Sequence, residues 1–391
     1  MNQFKVIIFD GSFKTTPFIN RLAKGLAIKH EVYILGFNEE VKQKIKGIQY
    51  VPLGSNQNKL RFIATSIVYA LKTGSIQKIF STTRRLIKGQ RQKLQVQNLT
   101  YALNRIQPDI IHLQWPSVIP LFENILNEEK VPVVLSQRGF HNNVRPFVKP
   151  DNFDYLHNWY PKIAGFHSVS NDLAANGDKI WFSSEKLNRV VYTGLPLNEF
   201  SFSNQYKRAQ PLKLLSVGRT HWKKGYDYAL QTCRILKEQN LPFHYNIIGG
   251  AGDEELQFLI SDHGLQDCVS LMGRVPQSEV FKMMGEASLL LMPSVEEGVP
   301  NVAVEAMALG LPVLSTDCGG VLELIEDGLE GWVVPIRDPD AMAEGVVAFS
   351  KLSLVEIEDV RLAARVKVDR QHSVEIMVEG MVELYRQLLS N

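Results

Sequence analysis

Two carboxylates, Glu297 and Glu305, stand eight residues apart in the string Glu297-Gly-Val-Pro-Asn-Val-Ala-Val-Glu305, and Gly319-Gly320 follows. Core packing asks for neither acid, because burying a charge is costly unless it is paired. A site that holds a polyhydroxylated ligand and an anion together does call for such an arrangement. Paired carboxylates can also cleave glycosidic bonds, but those acids sit roughly 5–10 Å apart. Eight residues of helix span about 12 Å. The spacing therefore favours acids that grip hydroxyl groups.

The flanking residues say which elements hold these acids. The apolar run 288–292 reads as a buried strand that ends at Pro293. Gly298 lets backbone approach a ligand closely, and Pro300 suits the start of a helix. A helix is expected over Asn301–Leu309, stopped by Gly310. Glu297 then lies in a loop at the carboxyl end of a strand, and Glu305 lies inside the helix. The free N–H groups at that helix start suit a phosphate. In open α/β sheets ligands bind at such strand ends. A basic pair, Arg219 and Lys224, follows another candidate strand, with Lys223 as the rival to Lys224.

Here the sequence resembles the retaining nucleotide-sugar glycosyltransferases of family 4, through their E-x7-E signature. The resemblance extends to Leu214-Leu-Ser-Val-Gly-Arg219 followed by Lys224-Gly225, to Ile247-Ile-Gly249-Gly-Ala-Gly252, and to Val269-Ser-Leu-Met-Gly-Arg274-Val275. Cys318-Gly-Gly-Val-Leu-Glu323 and Glu326-Asp-Gly-Leu-Glu-Gly331 fit the tail that follows. In the first half Asp109-Ile-Ile-His112, Val169-Ser-Asn-Asp-Leu173 and 190–200 also fit. It covers nearly the whole chain and is densest from 212 to 345.

The resemblance implies an α/β protein of GT-B architecture, two Rossmann-like domains with parallel sheets facing across a cleft. It implies metal-independent transfer from a nucleotide diphosphate sugar with retained anomeric configuration, to a glycan or lipid-pyrophosphate acceptor in surface polysaccharide synthesis. No cofactor is expected. Arg219 and Lys224 would hold the departing diphosphate, the guanidinium through two hydrogen bonds and the ammonium as a compact charge. Glu297 would contact hydroxyls of the transferred sugar, and Glu305 the donor ribose. Gly298, Val299, Pro300, Asn301 and Val302 would present backbone to the sugar or diphosphate. Gly249, Arg274 and Val275 would lie on the donor side, and Gly11 would approach the diphosphate from the other domain.

Two departures from the family pattern fall in the first half. After the first strand stands Asp10-Gly-Ser-Phe-Lys-Thr-Thr16, without a glycine pair. Arg138, in Ser136-Gln-Arg-Gly-Phe-His141, stands where many relatives have His. An arginine cannot serve as a general base near neutral pH, so Arg138 is assigned to the donor or to an acceptor phosphate. His112 and His141 remain candidates for the acceptor side, with a structural role open for each. Asp338-Pro-Asp340 has the form of a metal motif from another transferase fold, but its place before 341–347 makes it a helix cap. No metal site is expected. A nucleotide-sugar epimerase of the same fold, or a non-catalytic sugar-nucleotide sensor, stays open. Acid–base residues in the site would favour the first, and loss of the cation–acid set the second.

The chain has 391 residues, 45% of them hydrophobic, enough for two α/β domains. The opening residues read as a strand and not a signal peptide, and no apolar run approaches the length of a membrane helix. Cys233, Cys268 and Cys318 are few and scattered, as expected for small core residues in a reducing compartment. A cytoplasmic protein is expected, peripheral at the inner membrane face.

The net charge of +2 hides an asymmetry. Residues 1–197 carry 26 Lys+Arg against 13 Asp+Glu, and the rest 17 against 28. The segment 41–108 holds 13 basic residues and no acid. Within it Phe62, Ile63, Ile67, Ala70 and Leu71 recur at helical spacing, and a second basic helix is expected to hold Arg84, Arg85, Lys88, Arg91 and Lys93. A solvated face, an anionic membrane surface or a pyrophosphate-linked acceptor each fit this charge. No nucleic-acid module is present.

Strand–helix alternation organises the rest. Strands are expected at 4–9, 31–35, 109–113, 131–135 and 166–169, then at 213–217, 243–248, 269–272, 288–292, 312–315 and 331–334. The division expected is a first domain to 200, a polar linker 201–211, a second domain 212–372, and a terminal helix 373–391 that crosses back to the first.

Overall fold

The computed structural model describes residues 3–37, 44–203 and 206–390. Positions 41–43 of the basic segment, 204–205 of the polar stretch, and the termini 1–2 and 391 lie outside the described residues. Strand–helix alternation folds the chain into two compact units. One runs to Gly194 and takes in Val374–Ser390, and the other is Leu195–Ser373.

The first unit holds β1 (Lys5–Gly11), β2 (Glu31–Gly36), β3 (Ile48–Pro52), β4 (Ile110–Leu113), β5 (Val133–Gln137), β6 (Gly165–Ser168) and β7 (Asn188–Val190). They form one parallel sheet in the order β3-β2-β1-β4-β5-β6-β7. β4, β5 and β6 are buried throughout because helices cover both faces, which is why their sequences read as continuous apolar runs. The order reverses between β1 and β4, with Phe9 opposite Leu113. Asp10-Gly11 and Gln114, whose N–H donates to Phe9 O at 2.9 Å, therefore leave the sheet at the switch point, where open sheets bind ligands.

The second unit holds β8 (Leu212–Val217), β9 (Phe243–Ile248), β10 (Val269–Met272), β11 (Leu289–Met292), β12 (Val313–Thr316) and β13 (Trp332–Val334), in the order β10-β9-β8-β11-β12-β13. All six were legible as apolar runs. Its switch point lies between β8 and β11, so Gly218-Arg219 and Ser294–Glu297 emerge next to each other. β3 and β7 went unread because both are short, part-exposed strands at the sheet edges.

Two details differ from the sequence reading. Residues 202, 203 and 206 of the expected linker are fastened to the second unit. Buried Arg361 donates to Ser203 O at 2.6 Å and to Gly310 O at 2.5 Å, and packs its guanidinium on Phe202 and Tyr206. Tyr206 Oη in turn donates to Ser288 O at 2.7 Å. The basic segment forms three helices, Lys59–Lys72, Ile76–Ile87 and Arg91–Ile106, so Arg84 and Arg85 sit on a different helix from Arg91 and Lys93.

The last helix, Val374–Ser390, belongs to the first unit. Its Met377, Met381, Val382, Leu384 and Tyr385 are buried in one cluster with Phe4, Val6, Ile8 and Leu22. Gly25 gives it room, since a Cβ there would collide with Val378.

Candidate active site

In the second unit the turn after β8 and the loop after β11 are joined by backbone. Val295 N donates to Lys223 O at 2.7 Å. Gly225, left-handed at φ 60°, is pressed on the Pro293 carbonyl so closely that any Cβ would collide with it. Gly319, at φ 55°, leaves room in the same way for the Glu297 carbonyl, and Gly320 N donates to Gly298 O at 2.9 Å. The Glu297 carbonyl is thus seated on backbone that only glycine permits, as is that of Pro293 at the start of the same loop.

Its side chain meets Lys224. The Nζ–Oε1 distance is 2.5 Å, and Ser294 Oγ donates to the same oxygen at 3.3 Å. Lys223 has an acid of its own, with Nζ 2.7 Å from Glu296 Oε2. The Lys224 and Glu297 side chains are 23% and 15% exposed, shielded enough for the pair to exceed the weak surface average. Arg219 is exposed at the end of β8. His221 is held below the ordinary imidazole range by burial, then by the charges of Arg219, Lys223 and Lys224, which marks these three cations as one cluster. Tyr226 donates to Gly218 O at 3.2 Å, and burial with the Glu297 charge raises its phenol.

The helix Asn301–Leu309 begins beside this pair and ends at left-handed Gly310, as its residues require. Pro300 makes no side-chain cap, and no acid stands in the first turn. The initial N–H groups and the positive dipole end have no negative partner from the chain's own first turn. Asn301 Oδ1 is buried there without a hydrogen bond. Gly298 is half-buried and Val299 buried at the approach to this helix, with Val302 half-buried in its first turn. Glu305, one turn in, accepts from Gln277 Nε2 at 3.2 Å. Gln277 starts the helix Gln277–Glu286, so Glu305 joins the segment that carries exposed Arg274 and half-buried Val275. Gly249 follows β9 and seats its backbone on Gly218, donating to Met272 O at 2.9 Å. One edge of the second unit therefore collects Arg219, Lys224, Glu297, Glu305, Gly249 and the start of helix Asn301–Leu309.

Gly11, Arg138, His112 and His141 lie in the first unit. Gly11 has φ 94° at the end of β1. Beside it Asp10 is pushed up to about 6 by burial, although Ser12 N donates to Oδ1 at 2.8 Å. Arg138 is buried, its guanidinium 4.4 Å from the Phe18 ring centre and 3.5 Å from Gln114 Oε1. Its Nε and Gln114 Nε2 make no hydrogen bond, and burial lowers the guanidinium to about 9. His141 is half-buried between Trp115 and Phe140, and burial then Arg145 lower its imidazole.

His112 is corrected. It is fully buried on β4, with Nδ1 2.7 Å from Tyr385 Oη and Nε2 2.8 Å from Ser136 Oγ. Both nitrogens are taken inside the sheet, so none faces an acceptor. The chain of bonds continues from Ser136 Oγ to His167 Nδ1 at 2.8 Å and from His167 Nε2 to Val191 O at 3.0 Å. Because a carbonyl only accepts, His167 Nε2 carries a proton, Ser136 donates to His167, His112 donates to Ser136 and Tyr385 donates to His112.

Sequence reasoning missed Ser294 and Gln277. Ser294 carried a signal, its place just past the end of a buried strand. Gln277, 28 residues before its partner, carried none. Asp338 caps its helix, Oδ1 accepting from Ala341 N at 2.9 Å. Among the described residues no three His, Cys, Asp or Glu side chains form a group able to hold a metal. Cys233 and Cys318 are buried, whereas Cys268 is half-buried at the start of β10.

Residues 198–364 match the family model described as glycosyl transferases group 1. The amylovoran biosynthesis glycosyltransferase AmsK of Erwinia amylovora is 38% identical over 212 residues, 52% of each chain. The putative colanic acid biosynthesis glycosyltransferase WcaL of Escherichia coli K12 is 37% identical over 227 residues, 56% of each. The chain thus spans about half the length of the curated relatives it matches. Among solved structures, a glycosyltransferase from Rickettsia africae superposes over all of both chains with TM-score 0.75 at 18% identity. Anabaena Alr3699/HepE, solved in complex with UDP and glucose, does so over 98% of this chain and 100% of its own, with TM-score 0.73 at 15% identity. Two parallel-sheet Rossmann-like units of the GT-B type are the fold.

Proposed function

We propose that this protein is a retaining glycosyltransferase of family 4 type. It moves a sugar from a nucleoside diphosphate sugar to a glycan or lipid-pyrophosphate acceptor on the cytoplasmic side of the membrane, in surface polysaccharide assembly. The observation that carries this reading is the Lys224–Glu297 pair, 2.5 Å apart, set beside the uncapped start of the helix that bears Glu305. Cations and free N–H groups suit a diphosphate, and the two acids suit hydroxyls of sugar and ribose. The relatives named for amylovoran and colanic acid synthesis support the acceptor class.

In this reading the diphosphate takes over Lys224 from Glu297, which turns to the transferred sugar. As the bond from the anomeric carbon to the phosphate oxygen breaks, charge grows on the diphosphate. Arg219, Lys224 and the helix start stabilise it, a contribution of roughly 10²–10³ in rate for such preorganised charge. The acceptor hydroxyl forms the new bond on the same face, and its proton passes to the departing phosphate oxygen. No side chain is alkylated and no metal is required.

Thermal-shift screening against UDP-, GDP-, ADP- and dTDP-sugars tests the donor. A matching donor at a hundred times its Kd adds about 2.7 kcal/mol and stands out clearly. NMR of the product then reads the anomeric configuration. A melting curve that no nucleotide sugar moves would sink the donor assignment, and an inverted product would sink retention.

A further inference from the structure

We propose that the helices Lys59–Lys72 and Ile76–Ile87 of the first unit dock the protein on an anionic lipid bilayer, entering the headgroup layer with apolar stripes that folding leaves exposed. In the first helix Leu60, Ala64, Ile67 and Leu71 recur at intervals that keep them within about 60° of one another. Leu60 is 78% exposed, Ile67 41% and Leu71 56%. Its opposite side, with Phe62, Ser66, Tyr69 and Ala70, is buried. In the second helix Ile76, Phe80 and Ile87 share one stripe, 84%, 72% and 82% exposed. That helix buries only Thr82, so core packing does not account for its three large apolar side chains. The two helices follow one another through a short turn at 73–75 and pack on each other, and each presents an exposed apolar stripe of the kind that marks a binding face.

The rim of this surface selects the occupant. Arg61, Lys72, Arg84 and Lys88 are exposed beside the stripes, and no acid occurs anywhere in 41–108. Lys78 and Arg85 point elsewhere, lining a cavity of about 590 Å³ with Tyr69 and Tyr101, and are not counted. A second copy seated on the same stripes would set cations against cations with no acid between them. An anionic bilayer matches both features, because apolar side chains enter the headgroup boundary while basic ones meet lipid charge. Both helices belong to the first unit, whereas Lys224, Glu297 and Glu305 of the proposed donor site belong to the second.

The test is co-sedimentation of the full chain with vesicles of phosphatidylcholine alone, or with about a third phosphatidylglycerol. Binding at low salt should favour the anionic vesicles at least roughly tenfold. The triple variant Ile76→Ser, Phe80→Ser, Ile87→Ser should bind them roughly a hundredfold more weakly, with its unfolding temperature and donor binding unchanged. As a readout independent of those substitutions, Phe80→Trp should shift its emission to the blue on anionic vesicles. Parent protein that ignores anionic vesicles, or a triple variant that binds like the parent, overturns the proposal. So does a parent dimer that the triple variant splits, which would assign the stripes to a second copy.

Discussion

Lys224 and Glu305 divide the proposed labour of the donor site, and their variants should fail in different ways. Lys224 meets charge that grows only as the sugar bond breaks. Lys224→Ala should therefore lower kcat by roughly 10²–10³ with a smaller change in donor affinity. Glu305 holds a group that does not react, so Glu305→Ala should raise the donor Kd by roughly tenfold or more. Steady-state kinetics with titrated donor separates the two, and equal losses in both parameters for both variants would remove the distinction. Asp10 makes a prediction about pH. Its carboxyl is pushed up to about 6 by burial, above the value of an unfolded chain. Its contribution is therefore present below pH about 4 and is lost as pH rises through about 6. Asp10→Asn keeps an oxygen for Ser12 N–H and removes the buried charge. It should stabilise the protein by about 1–3 kcal/mol at pH 7.5 and hardly at all at pH 4. Denaturant melts at the two pH values check this, and a gain independent of pH would refute it.

Among the elements, the polar chain through His112, Ser136 and His167 links β4, β5 and β6 to the last helix. Burial holds both imidazoles low, His167 down to about 3. Both stay neutral when folded, so stability is full above the unfolded value near 6.5 and falls as pH drops below it. Tyr385→Phe removes the hydroxyl that donates to His112 Nδ1 and leaves that nitrogen buried without a partner. The expected cost is about 1–3 kcal/mol, read from denaturant midpoints. Midpoints within error of the parent would mean that the bond contributes nothing. This chain also shows why the sequence left the role of His112 open. A histidine at the end of an apolar strand looks the same whether it faces solvent or a tyrosine 273 residues away.

At the scale of the whole molecule, the first unit is completed by the end of the chain. Met377, Met381, Val382, Leu384 and Tyr385 are buried against strands from its beginning. At roughly 2 kcal/mol for each such side chain, their loss approaches the total stability of a domain, about 5–15 kcal/mol. Truncation after Ser373 should therefore unfold the first unit and spare Leu195–Ser373. Calorimetry should show the transition of the second unit without that of the first. A truncated chain with both transitions in place would contradict this packing.

Much of the second unit was legible because its information is local. Six apolar strands, the helix Asn301–Leu309 with its Gly310 stop, and the strand-end positions of Arg219 and Glu297 all follow from residues within a few turns of one another. Chain periodicity and glycine chemistry act at that range. What lay beyond it was decided by tertiary structure: which lysine meets Glu297, Gln277 on Glu305, the burial of His112, the hold of Arg361 on Phe202, Ser203 and Tyr206, and the outward stripes of the basic helices. The physical reason is the same in each case. Pairing and burial depend on which surfaces the sheet order brings together, and periodicity marks a face without naming its neighbour.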